Sequence, residues 1–555
     1  MDIFGTNFAR LDWWIVGVYL AGSVVVGLLA NRYIHNVAGF MVGGRGSGAA
    51  LNAATYIGTG LGLVTIMYSS IDGFHKGFTY MVLGLIGVTM GVTLGSTGFV
   101  LKRLRQHRLT TLPEFFQLRY SRGVRITAGA ICATAGILNM GLFPKMGATF
   151  ITYATGLGRT EQAVAAPADP GAPSGEAPGT AAASQPQADE AARKKALSKQ
   201  QLTVNIITSV LIVIVLFYTV LGGMVSVIVT DYIQFIILSL GLGLGLYFCL
   251  VHPDIGWQSM VSTLAENRGE AAFNPFHGDS YGWVWVVWML VHVFAAGLCW
   301  APEATRALTA KDPTTSKRTY LIASPGQFVR LALPALLAIA AFCYFTKHPE
   351  LSAHFFPDGP AEGAAHADQA LPLLLGKIVP SGLLGLLVAG LMAAFMSTHD
   401  SYFLCWSSVI CRDVVGPLRK EPLNDKQQIL LTRGIIVAIG LFLLVWGVWY
   451  ELPASVWNYM AVTGSVYLCG SIVVLVGGMY WKRASSAGAM AALLGGLISV
   501  VVIFLPARIT GNTMLMGVVG LGNYAFCIVA FVVFSLLIPD RRPAAAVIEL
   551  EEAES

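Results

Sequence analysis

The sequence predicts an all-α polytopic membrane protein. Of its 555 residues, 55% are hydrophobic and only 12% are charged, whereas an ordinary soluble domain carries roughly 25% charged residues. The mean hydropathy is +0.66. This composition excludes a disordered chain, a coiled coil and a typical soluble enzyme. The formal net charge of +5 is too small and too scattered for nucleic-acid binding. The eight cysteines form no CxxC pair, so neither a disulfide framework nor a zinc site is indicated.

Thirteen segments are apolar and long enough to cross a bilayer, which takes about 20 residues of helix. We expect transmembrane helices at 11–31, 47–72, 77–100, 125–157, 202–222, 224–251, 280–300, 319–346, 380–411, 428–450, 455–480, 485–506 and 514–538. The first segment is expected to be a retained helix and not a signal peptide, because it lacks a basic n-region and a clear cleavage site.

The distribution of Lys and Arg predicts the orientation. With the N-terminus outside, the cytoplasmic loops hold 22 of the 35 Lys and Arg residues, and the outer loops hold 11. Five of those 11 lie in one long loop, and long loops contribute little to the positive-inside rule. Because thirteen is an odd number of spans, the C-terminus is then expected in the cytoplasm. The membrane is expected to be the inner membrane of the cell.

The long outer loop, 158–200, differs from the rest of the chain in composition. Its stretch Ala163–Ala192 is rich in Ala, Pro, Gly, Gln and Ser, and such a segment buries too little apolar surface to offset its ordering entropy. We expect it to be disordered and dispensable for the core activity, and we expect the acidic tail Glu549–Glu554 to be disordered as well.

Ionisable side chains within membrane spans are energetically costly, so each indicates a possible site. The sequence places six of them there: Lys145, Asp231, His292, Arg330, His399 and Asp400. Each also has a purely structural interpretation. Lys145 and Arg330 could pair with a carboxylate or with helix-end carbonyls, His292 could be a packing residue, and Asp231 could mark the start of its span.

The ninth span carries the richest polar pattern. At about 100° per residue, Ala394, Ser397, Thr398 and Ser401 share one helix face, and Asp400 flanks it. Hydroxyl, carboxylate and carbonyl oxygens suit a small hard cation such as Na⁺, and the nitrogen or sulfur ligands that a transition metal favours are lacking. The alternative is that Ser and Thr only permit close helix packing.

The second span has three glycines within five residues, Gly58 to Gly62. Glycine is a poor helix former, and unwound backbone at membrane depth can line a cavity and bind a cation through its carbonyls. The seventh span has a matching irregularity at Gly297 and Pro302. Paired broken helices in two halves indicate an inverted-repeat transporter.

Several short motifs occur in order between residues 10 and 485. They are Gly43-Gly44-Arg45, Thr111–Phe115 with Arg119-Tyr120, Tyr218–Met224 followed by Thr230-Asp231 and Gln234, Arg306–Asp312, and the polar stretch of the ninth span. Together they resemble the sodium:solute symporter family. The resemblance implies a leucine-transporter-like fold with spans 2–6 and 7–11 as two inverted five-helix repeats.

This resemblance divides the chain into four parts. They are a peripheral helix and loop at 1–46, a first repeat at 47–251 containing the insertion, a second repeat at 280–480, and two peripheral helices with a cytoplasmic tail at 481–555.

The resemblance also implies sodium ligands. In the family, the shared site uses carbonyls on the broken first core helix, and a carbonyl and two hydroxyls on the eighth. Here these positions match the carbonyls of Gly58, Leu61 and Ala394 and the hydroxyls of Ser397 and Thr398.

Some family members add a second sodium site nearer the cytoplasm. Its positions match Asp231, Ser397, Asp400 and Ser401, and one such member has serine where this chain has Asp400. Two filled sites would give two Na⁺ per solute.

The expected substrate pocket departs from the sugar-transporting and proline-transporting branches of the family. The gate tyrosine of the sugar branch falls on Ala296 and its glutamine on Thr65, while an aspartate prominent in the proline branch falls on Gly60. Neither galactose nor proline is therefore supported. The residues expected to face the solute are Thr59, Thr65, His292, Trp300, Gln327 and Arg330. Arg330 could recognise an anionic substrate or be structural.

We therefore expect a sodium-coupled symporter of a small organic solute, embedded in the lipid bilayer, with Na⁺ as the co-transported ion. A transporter-like sensor would need a soluble output domain, and only 16 residues follow Pro539. A Ser–His–Asp hydrolase is excluded because His399, Asp400 and Ser401 are consecutive on a helix and point apart. A proton-coupled carrier of the same fold remains open. The oligomeric state and the identity of the solute cannot be read from the sequence.

Overall fold

A computed structural model describes residues 3–30, 48–107, 109, 111–157, 185–450, 456–499 and 513–540. The regular elements of these residues are helices. In the first half of the chain they are α1 (Arg10–Ala30), α2 (Ala49–Gly60), α3 (Leu63–Lys76), α4 (Val82–Thr97), α5 (Leu101–Gln106), α6 (Leu112–Arg119), α7 (Arg122–Met140), α8 (Phe143–Ala154), α9 (Gln185–Val251) and α10 (Trp257–Arg268).

The second half of the chain continues in the same way. Its helices are α11 (Trp283–Cys299), α12 (Ala301–Thr309), α13 (Pro313–Lys347), α14 (Pro349–Phe355), α15 (Ala367–Ile378), α16 (Leu383–Val409), α17 (Asp425–Trp449), α18 (Val456–Tyr480), α19 (Ser486–Ser499) and α20 (Thr513–Leu537). Helix α16 runs on through a π-helical turn at Ile410–Val415.

Within these described ranges, eight helical segments are long and apolar enough to cross a membrane. They are Leu63–Thr97, Arg122–Ala154, Lys199–Phe217, Pro313–Lys347, Leu383–Leu418, Asp425–Trp449, Val456–Tyr480 and Thr513–Leu537. Three shorter apolar helices accompany them, at Ile236–Val251, Trp283–Cys299 and Ser486–Ile498. The polytopic helical class is confirmed, whereas the count of thirteen and the two inverted repeats stay predictions.

Both predicted helix interruptions are present. Helix α2 ends at Gly60 and α3 begins at Leu63, with Leu61 at φ −92°, ψ 51° and Gly62 at φ −76°, ψ 163°. The seventh span is interrupted at Trp300, whose ψ of 116° is extended. Pro302 stands in the first turn of α12, where its missing N–H costs nothing. Each of the two spans is thus a pair of short helices with non-helical backbone at the break.

One pair of predicted spans differs in the structure. Residues 202–222 and 224–251 were expected as separate helices, but the helix α9 is continuous across Gly222-Gly223. Glycine lowers helix propensity by only about 1 kcal/mol, which tertiary context readily overrides. The two halves still have different neighbours, because Leu216 packs on Gly440 of α17 and Leu238 packs on Gly390 of α16.

The insertion is described only in part. Residues 185–192 of the segment expected to be disordered belong to α9, so the expectation is wrong for those eight residues. Six of them are Ala, Glu or Gln next to the helical continuation, and such residues favour helix. Residues 163–184 and the tail at 549–554 lie outside the described residues.

Small residues bring the helices close together. Gly73 of α3 lies against the backbone of Ala335 of α13, and Gly91 of α4 lies against Ser324 of the same helix. Close backbone approach at small residues is a main source of helix association in a membrane. Helix α16, nearly all of whose side chains are buried, passes through the centre and contacts α2, α3 and α9.

The peripheral helix α1 is tied to the start of α16 by one buried carboxylate. Asp12 accepts hydrogen bonds from the amides of Gly382 (2.6 Å) and Gly385 (2.7 Å), from the Ser381 hydroxyl (2.8 Å) and from the Ala9 amide (2.7 Å). A carboxylate at this position satisfies the free N–H groups of the helix terminus and complements its dipole. The helix that carries the predicted sodium ligands is therefore anchored at its beginning.

Candidate functional site

The break between α2 and α3 lies against the polar face of α16. The Thr398 hydroxyl sits so close to Gly62 that a Cβ added to Gly62 would overlap it. Ser397 and Thr398 are both buried, and their hydroxyls donate to the Ala394 carbonyl at 3.1 and 3.0 Å. The structure thus brings three of the five predicted sodium-ligand residues together on one side of the break.

The other two predicted ligands lie at the end of α2. Gly58 is in its last turn and Leu61 is the residue that follows it, and both are buried. The final carbonyls of a helix lack intrahelical partners. At this end, the Leu61 amide donates to the Ile57 carbonyl (2.7 Å), and the Thr65 hydroxyl donates to the Gly60 carbonyl (2.7 Å). The arrangement offers backbone and hydroxyl oxygens from two neighbouring elements.

Three of the four residues predicted for the second site, Ser397, Asp400 and Ser401, have described side chains. Asp400 is fully buried, and the Thr219 hydroxyl of α9 donates a short hydrogen bond to it. Ser401 is also buried. Asp231 lies on α9, but its side chain is outside the described residues, so its distance from Asp400 is untested. Sequence reasoning missed Thr219, because a lone threonine in an apolar span carries no signal of its partner on another helix.

A cavity of about 140 Å³ lies between the two broken helices, α13 and α18. Five of the six residues expected to face the solute line it, namely Thr65, His292, Trp300, Gln327 and Arg330. The side chain of the sixth, Thr59, is outside the described residues. Thr398 also lines the cavity, so the predicted sodium ligands and the predicted solute residues adjoin one another.

The cavity contains an ion pair that the sequence did not reveal. Nη1 of Arg330 lies 3.7 Å from Oε1 of Glu303, in the first turn of α12. The hydroxyl of Tyr56 donates to the other oxygen of Glu303 at 3.2 Å. The guanidinium also packs on Gly60, the last residue before the break. Arg330 thus fits both of its predicted interpretations, because it pairs with a carboxylate and also lines the cavity.

Aromatic side chains form much of the remaining wall. Trp300 donates from its indole nitrogen to the Tyr402 hydroxyl at 3.1 Å. The rings of Tyr68 and Trp457 are in contact at 5.1 Å between centroids, with their planes tilted by 54°. His292 pairs with Tyr524 (3.2 Å). The wall is therefore broad, rigid and apolar, with a few fixed polar groups, as small-molecule sites generally are.

Two residues of the ionisable shortlist take structural positions. The ammonium of Lys145 donates to the Tyr450 carbonyl at 2.7 Å, which agrees with its helix-end interpretation. Nδ1 of His399 bonds with the Phe395 carbonyl at 2.7 Å, and its ring packs against aromatic neighbours. Neither residue lines the cavity.

The fold and cavity define a multi-pass membrane protein of the broken-helix transporter class. The sequence model of the sodium:solute symporter family matches residues 194–496, which is more than half of the chain. The chain belongs to this family, and the relatives below are transporters, not enzymes.

Three curated relatives are similar over parts of their length. The sodium/myo-inositol cotransporter 2 of Rattus norvegicus is 24% identical over 52% of this chain and 46% of that protein. The sodium/pantothenate symporter of Haemophilus influenzae is 25% identical over 52% and 55%. The high affinity choline transporter 1 of Homo sapiens is 26% identical over 44% and 42%. The chain spans about half the length of these relatives.

One solved structure is similar over nearly the whole chain. A Na⁺-coupled sialic acid symporter, in a substrate-bound outward-open state, aligns with 97% of this chain and 100% of its own. The TM-score is 0.72 and the sequence identity is 18%. This likeness confirms the polytopic helical fold.

Proposed function

We propose that this chain is a sodium-coupled secondary symporter of a small organic solute, with Na⁺ as the co-transported ion. The observation that carries the proposal is the contact between the Thr398 hydroxyl and Gly62 at the break of the second span. It sets hydroxyl and carbonyl oxygens from two elements side by side, next to a cavity of solute size. Family membership and the sodium-coupled relatives support the same function.

The ligand chemistry suits a cargo ion. Neutral oxygens from Gly58, Leu61, Ala394, Ser397 and Thr398 would hold a monovalent ion that must be released in each cycle, whereas a cage of carboxylates favours divalent ions. Sodium at this position would hold the broken helix against α16. It would thereby favour the state that admits the solute, because a ligand shifts an equilibrium by its differential affinity for the two states.

We propose alternating access as the transport cycle. Two inverted five-helix repeats among thirteen membrane helices would rock against one another and expose the sites first outward and then inward. The N-terminus would lie outside and the C-terminus in the cytoplasm of an inner membrane. Each Na⁺ that enters gains about 2.3 kcal/mol per 100 mV of membrane potential, which would drive solute concentration.

A second sodium site at Asp231, Ser397, Asp400 and Ser401 belongs to the proposal. The carboxylate of Asp400 is buried beside the same helix face and would attract Na⁺ leaving the first site. Filling both sites would couple two Na⁺ to each solute.

The buried Asp400 also supports one rival, a proton-coupled carrier in which this carboxylate takes the coupling proton. The two functions differ in what they require. Sodium coupling predicts a response to Na⁺ at fixed pH, whereas proton coupling predicts a response to a pH gradient in the absence of Na⁺.

The direct test measures cation binding by the purified protein without solute. We expect NaCl to raise the melting temperature above its value in KCl at equal ionic strength, since a ligand that binds only the folded state stabilises it. Thr398→Ala should reduce the difference, and Na⁺ bound at the second site would account for any that remains. Thr152→Ala is the matched control, because this buried hydroxyl donates to the Ala148 carbonyl of its own helix (2.7 Å). Equal melting temperatures in both salts for the unmodified protein would contradict sodium binding.

A further inference from the structure

The cavity has the volume of a small organic molecule. Its volume of about 140 Å³ is close to that of an engineered cavity of about 150 Å³ that holds one benzene ring. A solute filling it in this conformation has roughly six to ten non-hydrogen atoms. Amino acids, small betaines and short-chain acids are within this range.

The ion pair in the cavity is loosely joined. The 3.7 Å between Arg330 and Glu303 is beyond hydrogen-bond distance. The Nε of Arg330 is buried without a hydrogen-bond partner among the described residues. A guanidinium with free donors next to a cavity is prepared to take a carboxylate in a bidentate manner.

A second donor lies on the same side of the cavity. Gln327 precedes Arg330 by three residues on α13, a spacing that puts both on one helix face. Gln327 is only 3% exposed, and its Nε2 is buried without a partner in the described part of the chain. A buried amide that donates to nothing is costly, and a carboxylate held by Arg330 would be positioned to accept from it.

The charges indicate what else the solute carries. Arg330 and Glu303 compensate one another, so a simple anion at Arg330 would face the carboxylate of Glu303, and a simple cation at Glu303 would face the guanidinium. A solute with both charges satisfies both groups. Its ammonium would also lie near the aromatic wall of Tyr68, Trp300 and Tyr402, which attracts cations through the ring faces.

We propose that the cavity binds a compact zwitterion of amino-acid size. The solute's carboxylate binds Arg330 and Gln327, and its ammonium binds Glu303, so that the solute separates the loose ion pair and takes its place between the two charges. This assignment rests on the proposed symport function and specifies the substrate class of the same cavity. Neutral polyols and simple anions or cations are poor ligands by the same reasoning.

The test uses the full-length protein in NaCl and a panel of ligands matched in carbon skeleton. The panel consists of alanine, serine, proline and valine, together with the deaminated acid and the decarboxylated amine of each, such as 3-methylbutanoate and isobutylamine for valine. Myo-inositol serves as the neutral polyol. We expect at least one zwitterion to raise the melting temperature and to be taken up, with both counterparts binding about tenfold or more weakly, because each loses hydrogen bonds to a charged group.

Two variants assign the charges. Glu303→Gln should lower the affinity for the zwitterion about tenfold or more, while the deaminated acid binds at least as well as before. Arg330→Gln should lower the affinity for both the zwitterion and the acid. The exposed residues Glu421 and Arg419 supply the matched controls Glu421→Gln and Arg419→Gln. If a single variant fails to fold because it leaves one charge buried and unpaired, the double variant Glu303→Gln/Arg330→Gln removes both charges, and it should bind no member of the panel.

The outcomes separate this assignment from the function on which it rests. If no zwitterion binds while Na⁺ still stabilises the protein over K⁺, the substrate class is wrong and the sodium site stands. Equal binding of a zwitterion and its deaminated acid would likewise overturn the role of Glu303. If Na⁺ gives no stabilisation, the symport proposal itself fails.

Discussion

The hydroxyl of Thr398 occupies the space that a side chain on Gly62 would need. Gly62 has φ −76° and ψ 163°, a conformation open to any residue. The glycine at this break is therefore required by the proximity of α16 and not by the backbone angles.

A methyl group at Gly62 should displace the Thr398 hydroxyl. We expect Gly62→Ala to raise the sodium concentration for half-maximal uptake at least severalfold while expression is retained. Sodium titration of uptake in proteoliposomes measures this. Gly243→Ala is the control, because a Cβ at Gly243 meets nothing within 4 Å. An unchanged sodium dependence in Gly62→Ala would place the ion away from this contact.

Removal of the Asp12 carboxylate, which anchors the beginning of α16, should lower the stability of the folded protein. Asp12→Ala leaves buried amides and the Ser381 hydroxyl without an acceptor, at about 1–3 kcal/mol. Asp12→Asn, which keeps one carbonyl oxygen, should lie between Ala and the unmodified protein. Melting temperatures in detergent report the order. Equal values for all three would show that the N-terminal anchor contributes nothing to folding.

Asp400 and Thr219 should act together in binding Na⁺ at the proposed second site. Asp400→Asn is expected to change the sodium stoichiometry or cooperativity more than solute affinity, and Thr219→Val should show a weaker form of the same change. Thr208→Val serves as the control, since this hydroxyl bonds with the Val204 carbonyl of its own helix (2.8 Å). Sodium Hill coefficients and reversal potentials give the readout. A pure loss of solute affinity in Asp400→Asn would contradict an ion role.

The insertion should be removable. We expect deletion of Ala163–Ala192 to leave expression and transport near normal, because its composition offers no apolar face to pack. Deletion of residues 163–184 alone spares the first residues of α9 and separates an effect of the loop from damage to that helix. Lost transport with intact folding in the shorter deletion would show that the segment gates the protein or recruits a partner.

Local composition was enough to predict the helix breaks and the polar face of α16. Three glycines at Gly58–Gly62 weaken a helix wherever they occur, and the spacing of Ala394, Ser397 and Thr398 follows from helix geometry alone. The cavity positions of Thr65, Trp300 and Gln327 could be predicted only through family resemblance. His292 and Arg330 were also indicated as ionisable residues within membrane spans.

What the sequence could not provide was the pairing of distant groups. Glu303 was not considered because it follows the end of the predicted seventh span, and its partner Arg330 lies 27 positions further along another helix. Thr219 and Asp400 are separated by 181 residues. Such pairs depend on tertiary packing, which the local sequence does not report. Tertiary packing also overrides a local signal at Gly222-Gly223, where the two glycines predict a helix break and the helix is continuous.

Sodium binding between the broken second span and α16 is tested most directly by the sodium dependence of uptake in the double variant Ser397→Ala/Thr398→Ala. We expect half-maximal uptake to require a much higher sodium concentration, with solute affinity falling through coupling between the sites. Ser407→Ala provides the control on the same helix, because the Ser407 hydroxyl donates to the Leu404 carbonyl of that helix (3.2 Å). Transport by the double variant with the sodium dependence of the unmodified protein would show that the ion does not bind there.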